Sequence, residues 1–99
     1  LMRRALQIDE QAFGADHPEV AIDMWNLAWM WREMDRRADA EPLLRRAVRI
    51  YHQFTHATGH EPPHLAAASR HFRTLLSELG FSEEEIQQQF AEIQQEAES

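Results

Sequence analysis

Apolar residues recur three and four apart through five stretches of the chain, and no stretch alternates with period two. The first stretch runs from Leu1 to Phe13, with Leu1, Ala5, Ile8 and Ala12 on one stripe. Gly14 suits its C-terminal cap, where a left-handed residue is needed. The second begins near Asp16 and runs to about Met34, carrying Ala21, Met24, Leu27, Ala28 and Trp31. Asp16 can cap it, Glu19 stands at capping-box spacing, and Pro18 suits the first turn. The third spans about Arg37 to Phe54 with Ala40, Leu43, Leu44, Ala47, Val48 and Ile50, and Pro42 falls in or near its first turn. A loop is expected from Thr55 to Pro62. The fourth starts near Pro63 and carries Leu65, Ala68, Phe72, Leu75, Leu76 and Leu79. The fifth has the sharpest start: Ser82 as N-cap, Glu85 closing a capping box, and Phe81 with Ile86 as a hydrophobic staple. Its stripe is Ile86, Phe90, Ile93 and Ala97, and three glutamates in its first turn complement the helix dipole. The expectation is an all-α protein of about five helices.

Two of these segments repeat one another. Leu1-Met2-Arg3-Arg4-Ala5-Leu6-Gln7-Ile8 matches Leu43-Leu44-Arg45-Arg46-Ala47-Val48-Arg49-Ile50 at an offset of 42, with five of eight positions identical. Pro18-Glu19-Val20-Ala21 aligns more weakly with Pro63-His64-Leu65-Ala66 at an offset of 45, the three extra residues falling in the Thr55–Pro62 loop. Leu27 then matches Phe72, Trp31 matches Leu76 and Asp35 matches Gly80. A helical hairpin recurs every forty-odd residues, which is the mark of a repeat architecture.

The run Phe13-Gly14-Ala15-Asp16-His17-Pro18-Glu19-Val20-Ala21 resembles the signature of kinesin-light-chain-like tetratricopeptide repeats. Asn26-Leu27-Ala28-Trp29-Met30-Trp31 and Ala40-Glu41-Pro42-Leu43-Leu44-Arg45-Arg46-Ala47-Val48-Arg49-Ile50 continue the resemblance to about Ile50. It is loose from Pro63 onward. Asp35 replaces the usual glycine between helices, and Arg73 and Glu85 replace the small residues at the positions of Ala28 and Ala40. The resemblance implies antiparallel hairpins stacked as a short right-handed superhelix. Residues 1–13 would be an orphan second helix, 16–56 a full hairpin, and 63–99 a degenerate terminal hairpin with an acidic capping helix. The N-terminal helix face would then stand open, a surface through which two copies could pair.

Composition narrows the functional classes. The 99 residues are 43% apolar with no run long enough to span a bilayer, so no membrane role is expected. Cysteine is absent, which removes disulfides and thiolate chemistry. The net charge of −7 lies in the tail: residues 78–99 hold seven acids and no base. A balanced body without a basic stripe argues against nucleic acid. All ten bases are arginine, which fits a GC-rich genome and a bacterial cytoplasm. Arg37 and Arg45 follow Glu33 and Glu41 by four, the spacing of surface ion pairs. No phosphate loop, nucleophile elbow or cofactor motif is present, so no catalysis and no cofactor are expected.

What remains is recognition. Trp25 and Trp29 are four apart and share a face offset from the core stripe, whereas Trp31 lies on the stripe and is expected in the core. In the family this face lines the concave groove. The expected site for a protein or peptide partner is therefore Ile22, Trp25, Asn26, Trp29, Arg32 and Glu33, with the tryptophans as apolar anchors, Asn26 bonding ligand backbone and Arg32 or Glu33 selecting charge. The competing reading has the neighbouring repeat cover the tryptophans, making the chain a structural or self-association module. His52, His56, His60 and His64 are spaced by four, so His52 and His56 are the candidate pair for a metal. The Gly59, Pro62 and Pro63 breaks and the lack of a completing carboxylate favour solvated or capping histidines, and no metal is expected.

Overall fold

The computed structural model describes residues 17–98, and among them every regular element is an α-helix. Helix α1 is Pro18–Glu33, α2 is Arg37–Thr58, α3 is Leu65–Glu78 and α4 is Glu83–Glu98. The expected helix over Leu1–Phe13, its Gly14 cap, Asp16 and the open N-terminal face lie outside the described residues.

Helix α1 starts one or two residues later than its periodicity suggests. Pro18 occupies its first turn, and the cap is His17, whose Nδ1 accepts the Glu19 N–H at 3.1 Å. The helix ends in a Schellman motif: Arg36 N–H donates to the Trp31 carbonyl at 2.8 Å and Asp35 N–H to that of Arg32 at 3.1 Å. Asp35 takes the left-handed conformation that the motif requires, at φ 59°. Helix α3 ends on the same motif, with Phe81 N–H on the Leu76 carbonyl, Gly80 N–H on that of Ser77, and Gly80 at φ 96°. The Asp35–Gly80 correspondence is thus a correspondence of turns.

Helix α2 runs four residues past the expected Phe54. The Thr55 and Thr58 hydroxyls bond back to the Tyr51 and Phe54 carbonyls, and the helix stops only where Gly59 turns left-handed at φ 75°. Because it begins at Arg37, Pro42 is its sixth residue, inside the helix rather than in the first turn. Helix α3 starts at Leu65, two residues after Pro63, with buried Pro62 accepting the Leu65 N–H through its carbonyl. The capping box ahead of α4 is complete: Glu85 N–H donates to Ser82 Oγ at 3.2 Å, and Ser82 N–H to Glu85 Oε1 at 2.9 Å.

Helix α2 is the centre of the packing and touches the other three helices. The core gathers Met24, Leu27 and Ala28 of α1, Leu44, Val48 and Tyr51 of α2, Phe72 and Leu76 of α3, and Ile86 and Ile93 of α4. The stripes read from periodicity are these buried faces, since helices of this length owe their stability to one apolar face. Trp31 is only half-buried at the rim of the core, where the Arg36 guanidinium lies 4.5 Å from its ring centroid.

The expected i, i+4 pairs give way to partners in a turn and on other helices. Arg37 bonds Asp35 at 2.6 Å and approaches Glu78 of α3 at 3.6 Å, in place of Glu33. Arg45 reaches across to α4, where it meets Gln89, Glu92 at 3.7 Å and Glu96 at 3.0 Å. The acidic tail therefore supplies acceptors to α2 as well as a solvated face. Arg73 is exposed, bonds Glu83 and lies over the Phe90 ring, so at that point side chains rather than close backbone approach join α3 to α4.

Candidate functional site

The side of α1 that carries Trp25, Trp29 and Arg32 faces α3, and the link is made by side chains. The Trp25 indole N–H donates to His71 Nδ1 at 2.9 Å. Trp29 stacks on the same imidazole, with centroids 4.0 Å apart and planes 20° from parallel. Trp25 also meets His71 and His64 edge-on, at 5.3 and 5.9 Å. Seven residues along, Arg32 forks onto Glu78: Nε to Oε1 at 2.6 Å and Nη2 to Oε2 at 2.5 Å. Its guanidinium lies 4.4 Å from the Trp29 centroid, a cation–π contact, and also reaches Glu33 at 3.0 Å. Both cross-links join residues 46 apart in sequence, so α1 and α3 run in the same direction, side by side.

This arrangement fixes protonation states. His71 Nδ1 accepts a hydrogen bond, so the neutral ring carries its proton on Nε2. Partial burial pushes the His71 pKa below its ordinary 6.5, and the positive charges of Arg70 and Arg32 push it further in the same direction. In a chain of net charge −7, the imidazole between the two tryptophans is biased by arginines. The Arg32 fork holds the Glu78 carboxyl below the usual carboxylate range, and Glu78 in turn raises the Arg32 guanidinium.

The expected site residues separate into two sets. Trp25, Trp29 and Arg32 come together as one half-buried cluster, with half-buried Ile22 on the same side of α1. Asn26 and Glu33 are exposed at the next edge of the helix. His71, the residue that joins the tryptophans, follows seven residues after the His52–His64 series whose spacing suggests metal. Sequence reasoning could have reached it through the repeat register, which places His71 at the position of Asn26, in the adjacent row. Of the spaced series, His64 borders the cluster edge-on to Trp25, while His52 and His56 lie elsewhere. His52 and His56 line a cleft of 270 Å³ between the C-terminal ends of α2 and α4, with Thr55, Gln94, Ala97 and Glu98. Burial lowers the His52 pKa and Glu61 partly offsets this. No group of three or more His, Asp or Glu side chains with metal-binding geometry occurs among the described residues.

Paired helices that turn on a common motif and place their first helices in parallel are compatible with a fragment of a helical-repeat protein. The tetratricopeptide repeat family model matches residues 1–53, more than half of the chain, and the protein belongs to that family. No curated protein and no solved structure matches it. The family consists of modules that mediate contacts between proteins, generally without catalysis, and no helix among the described residues is long and apolar enough to cross a membrane.

Proposed function

We propose that this chain recognises a peptide segment of a partner protein on the concave side of a right-handed, kinesin-light-chain-like superhelix, in the cytoplasm and without catalysis. One observation carries the reading: Trp25 and Trp29 keep part of their surface exposed while His71 holds both rings and Arg32 holds Trp29 in place. A large apolar surface with its rotamers already locked loses little entropy on binding, which is the property of an aromatic hot spot. Ile22 extends the apolar surface along α1, and Arg32 borders it with a charge already balanced by Glu78.

The same cluster supports a second reading. The Trp25 N–H is satisfied within the chain, and α3 covers part of both rings, as a purely structural seam requires. Peptides selected against the whole chain separate the two. Truncating an anchor costs on the order of 2 kcal/mol or more, about thirtyfold in Kd. Trp29→Ala should therefore weaken a selected peptide at least that much while far-ultraviolet helicity is retained. A folded Trp29→Ala variant that binds the same peptides with unchanged Kd, with Ile22→Ala equally silent, leaves the structural reading in place.

A further inference from the structure

We propose that the cleft between the C-terminal ends of α2 and α4 is a zinc site, with His52 and His56 of α2 as paired imidazole ligands and Glu98 of α4 as the third. The first observation is the course of α2. Periodicity predicts a helix ending near Phe54, which would leave His56 in a loop. Instead α2 runs to Thr58, and over that last stretch the Thr55 and Thr58 hydroxyls bond back to the Tyr51 and Phe54 carbonyls. His52 and His56 therefore stand one turn apart on one face of a regular helix, ahead of the Gly59 stop. Histidines at that spacing can share one metal ion, each nitrogen at about 2 Å from it. Both rings border the same cleft, His52 half-buried and His56 exposed.

The surroundings select a cation. Glu98 lines the cleft from α4, and the negative charge of Glu61, in the loop after α2, acts on His52. His56 lies in the last turn of α2, where the helix dipole favours positive charge. An anion there would meet carboxylates and the carbonyl end of a helix. The ring nitrogens select further, since imidazole suits zinc and its transition-metal neighbours whereas magnesium and calcium take oxygen ligands. The rings are also available. His17 and His71 commit a ring nitrogen to the Glu19 and Trp25 N–H groups, and among the described residues neither His52 nor His56 is so committed. Burial keeps His52 neutral near pH 7, the form that ligates. No three ligands converge in advance among the described residues. The two histidines therefore take the ion first, exposed Glu98 turns onto it, and water fills the fourth position. An ion held this way ties the last turn of α4 to α2.

The test is a calorimetric titration of the whole 99-residue chain with zinc chloride in a non-chelating buffer. One ion should bind per chain, and saturating zinc should raise the melting temperature by roughly 5 °C or more. His56→Ala removes an exposed ring, so helicity should be retained while zinc affinity falls roughly tenfold or more. His52→Gln should weaken zinc to the same degree, and Glu98→Gln several-fold. His60→Ala and His71→Gln should leave the affinity unchanged, and excess magnesium should not displace the zinc. A flat titration overturns the proposal, as does a folded His56→Ala chain that binds zinc as tightly as the parent. Loss of binding in His60→Ala or His71→Gln places the ion on other histidines, and displacement by magnesium places it on carboxylates; either outcome also overturns it. Unchanged affinity in Glu98→Gln overturns the bridge to α4. No readout uses a peptide, so the outcome is independent of the recognition reading.

Discussion

At the scale of single residues, conformational strain and protonation matter most. Asp35 holds a left-handed conformation that disfavours a side chain, and the equivalent turn uses Gly80. Asp35→Gly should therefore stabilise the chain by about 0.5–1 kcal/mol, net of a weak exposed pair with Arg37 and of glycine's greater unfolded entropy. A urea titration reads the change as a higher midpoint with an unaltered slope. His71 sets a pH dependence. Its pKa lies lower in the folded chain than the ordinary 6.5, so the unfolded chain takes up the proton first as pH falls. Its contribution is fully present above pH 6.5 and is lost as pH drops through the depressed folded value. The urea midpoint should fall on acidification from pH 7 towards 5. His71→Gln should flatten that fall without abolishing it, because His52 is depressed by burial as well. An unchanged pH profile in the variant would place the titrating group elsewhere.

At the scale of elements, the helix ends and one proline carry the predictions. The reciprocal bonds of Ser82 and Glu85 satisfy donors at the start of α4, and Ser82→Ala should cost about 1 kcal/mol in thermal or urea unfolding. Pro42 sits at the sixth position of α2 and cannot donate to the Ala38 carbonyl. Its side chain is exposed, so Pro42→Ala removes little packing and should stabilise α2 by about 1 kcal/mol or more, visible as slower amide exchange over its first two turns. The elements were legible where signals agreed: the capping box of α4 and the apolar stripes are both local. Boundaries shifted where a side chain chose between two local bonds. His17 caps α1 at its own nitrogen, and Thr55 and Thr58 bond back to carbonyls and prolong α2.

At the scale of the whole molecule, stability rests on one core around α2 and on polar links that cross between helices. Phe72 is completely buried and meets the Phe90 edge. Phe72→Ala should cost about 3–5 kcal/mol, enough to leave a domain this small largely unfolded by circular dichroism at 37 °C. Arg45 ties α2 to Gln89, Glu92 and Glu96, and as a partly exposed network it should contribute only about 1 kcal/mol, lost in Arg45→Ala and weakened by salt. The four-residue spacing of Trp25 and Trp29 already implied that they share a side of one helix. It did not reveal that His71 stands between them or that Glu78 takes Arg32, since both contacts join residues 46 apart.

What the sequence by itself determined is local and periodic: helical type, the buried stripes, the α4 cap, the recurrence of the hairpin and, through the family pattern of residues 1–53, membership of the tetratricopeptide repeats. Those follow because helix periodicity, capping and turn chemistry act over a few residues and repeat when the unit repeats. Only the tertiary structure decided which charged residues pair and how far the tryptophans are covered. It turned Arg37 to Asp35 in the turn and towards Glu78 of α3, turned Arg45 to α4, and set His71 against both indoles. A long side chain bonds whatever acceptor the packed helices bring within reach, and that is set by the register between repeats rather than by spacing along one helix.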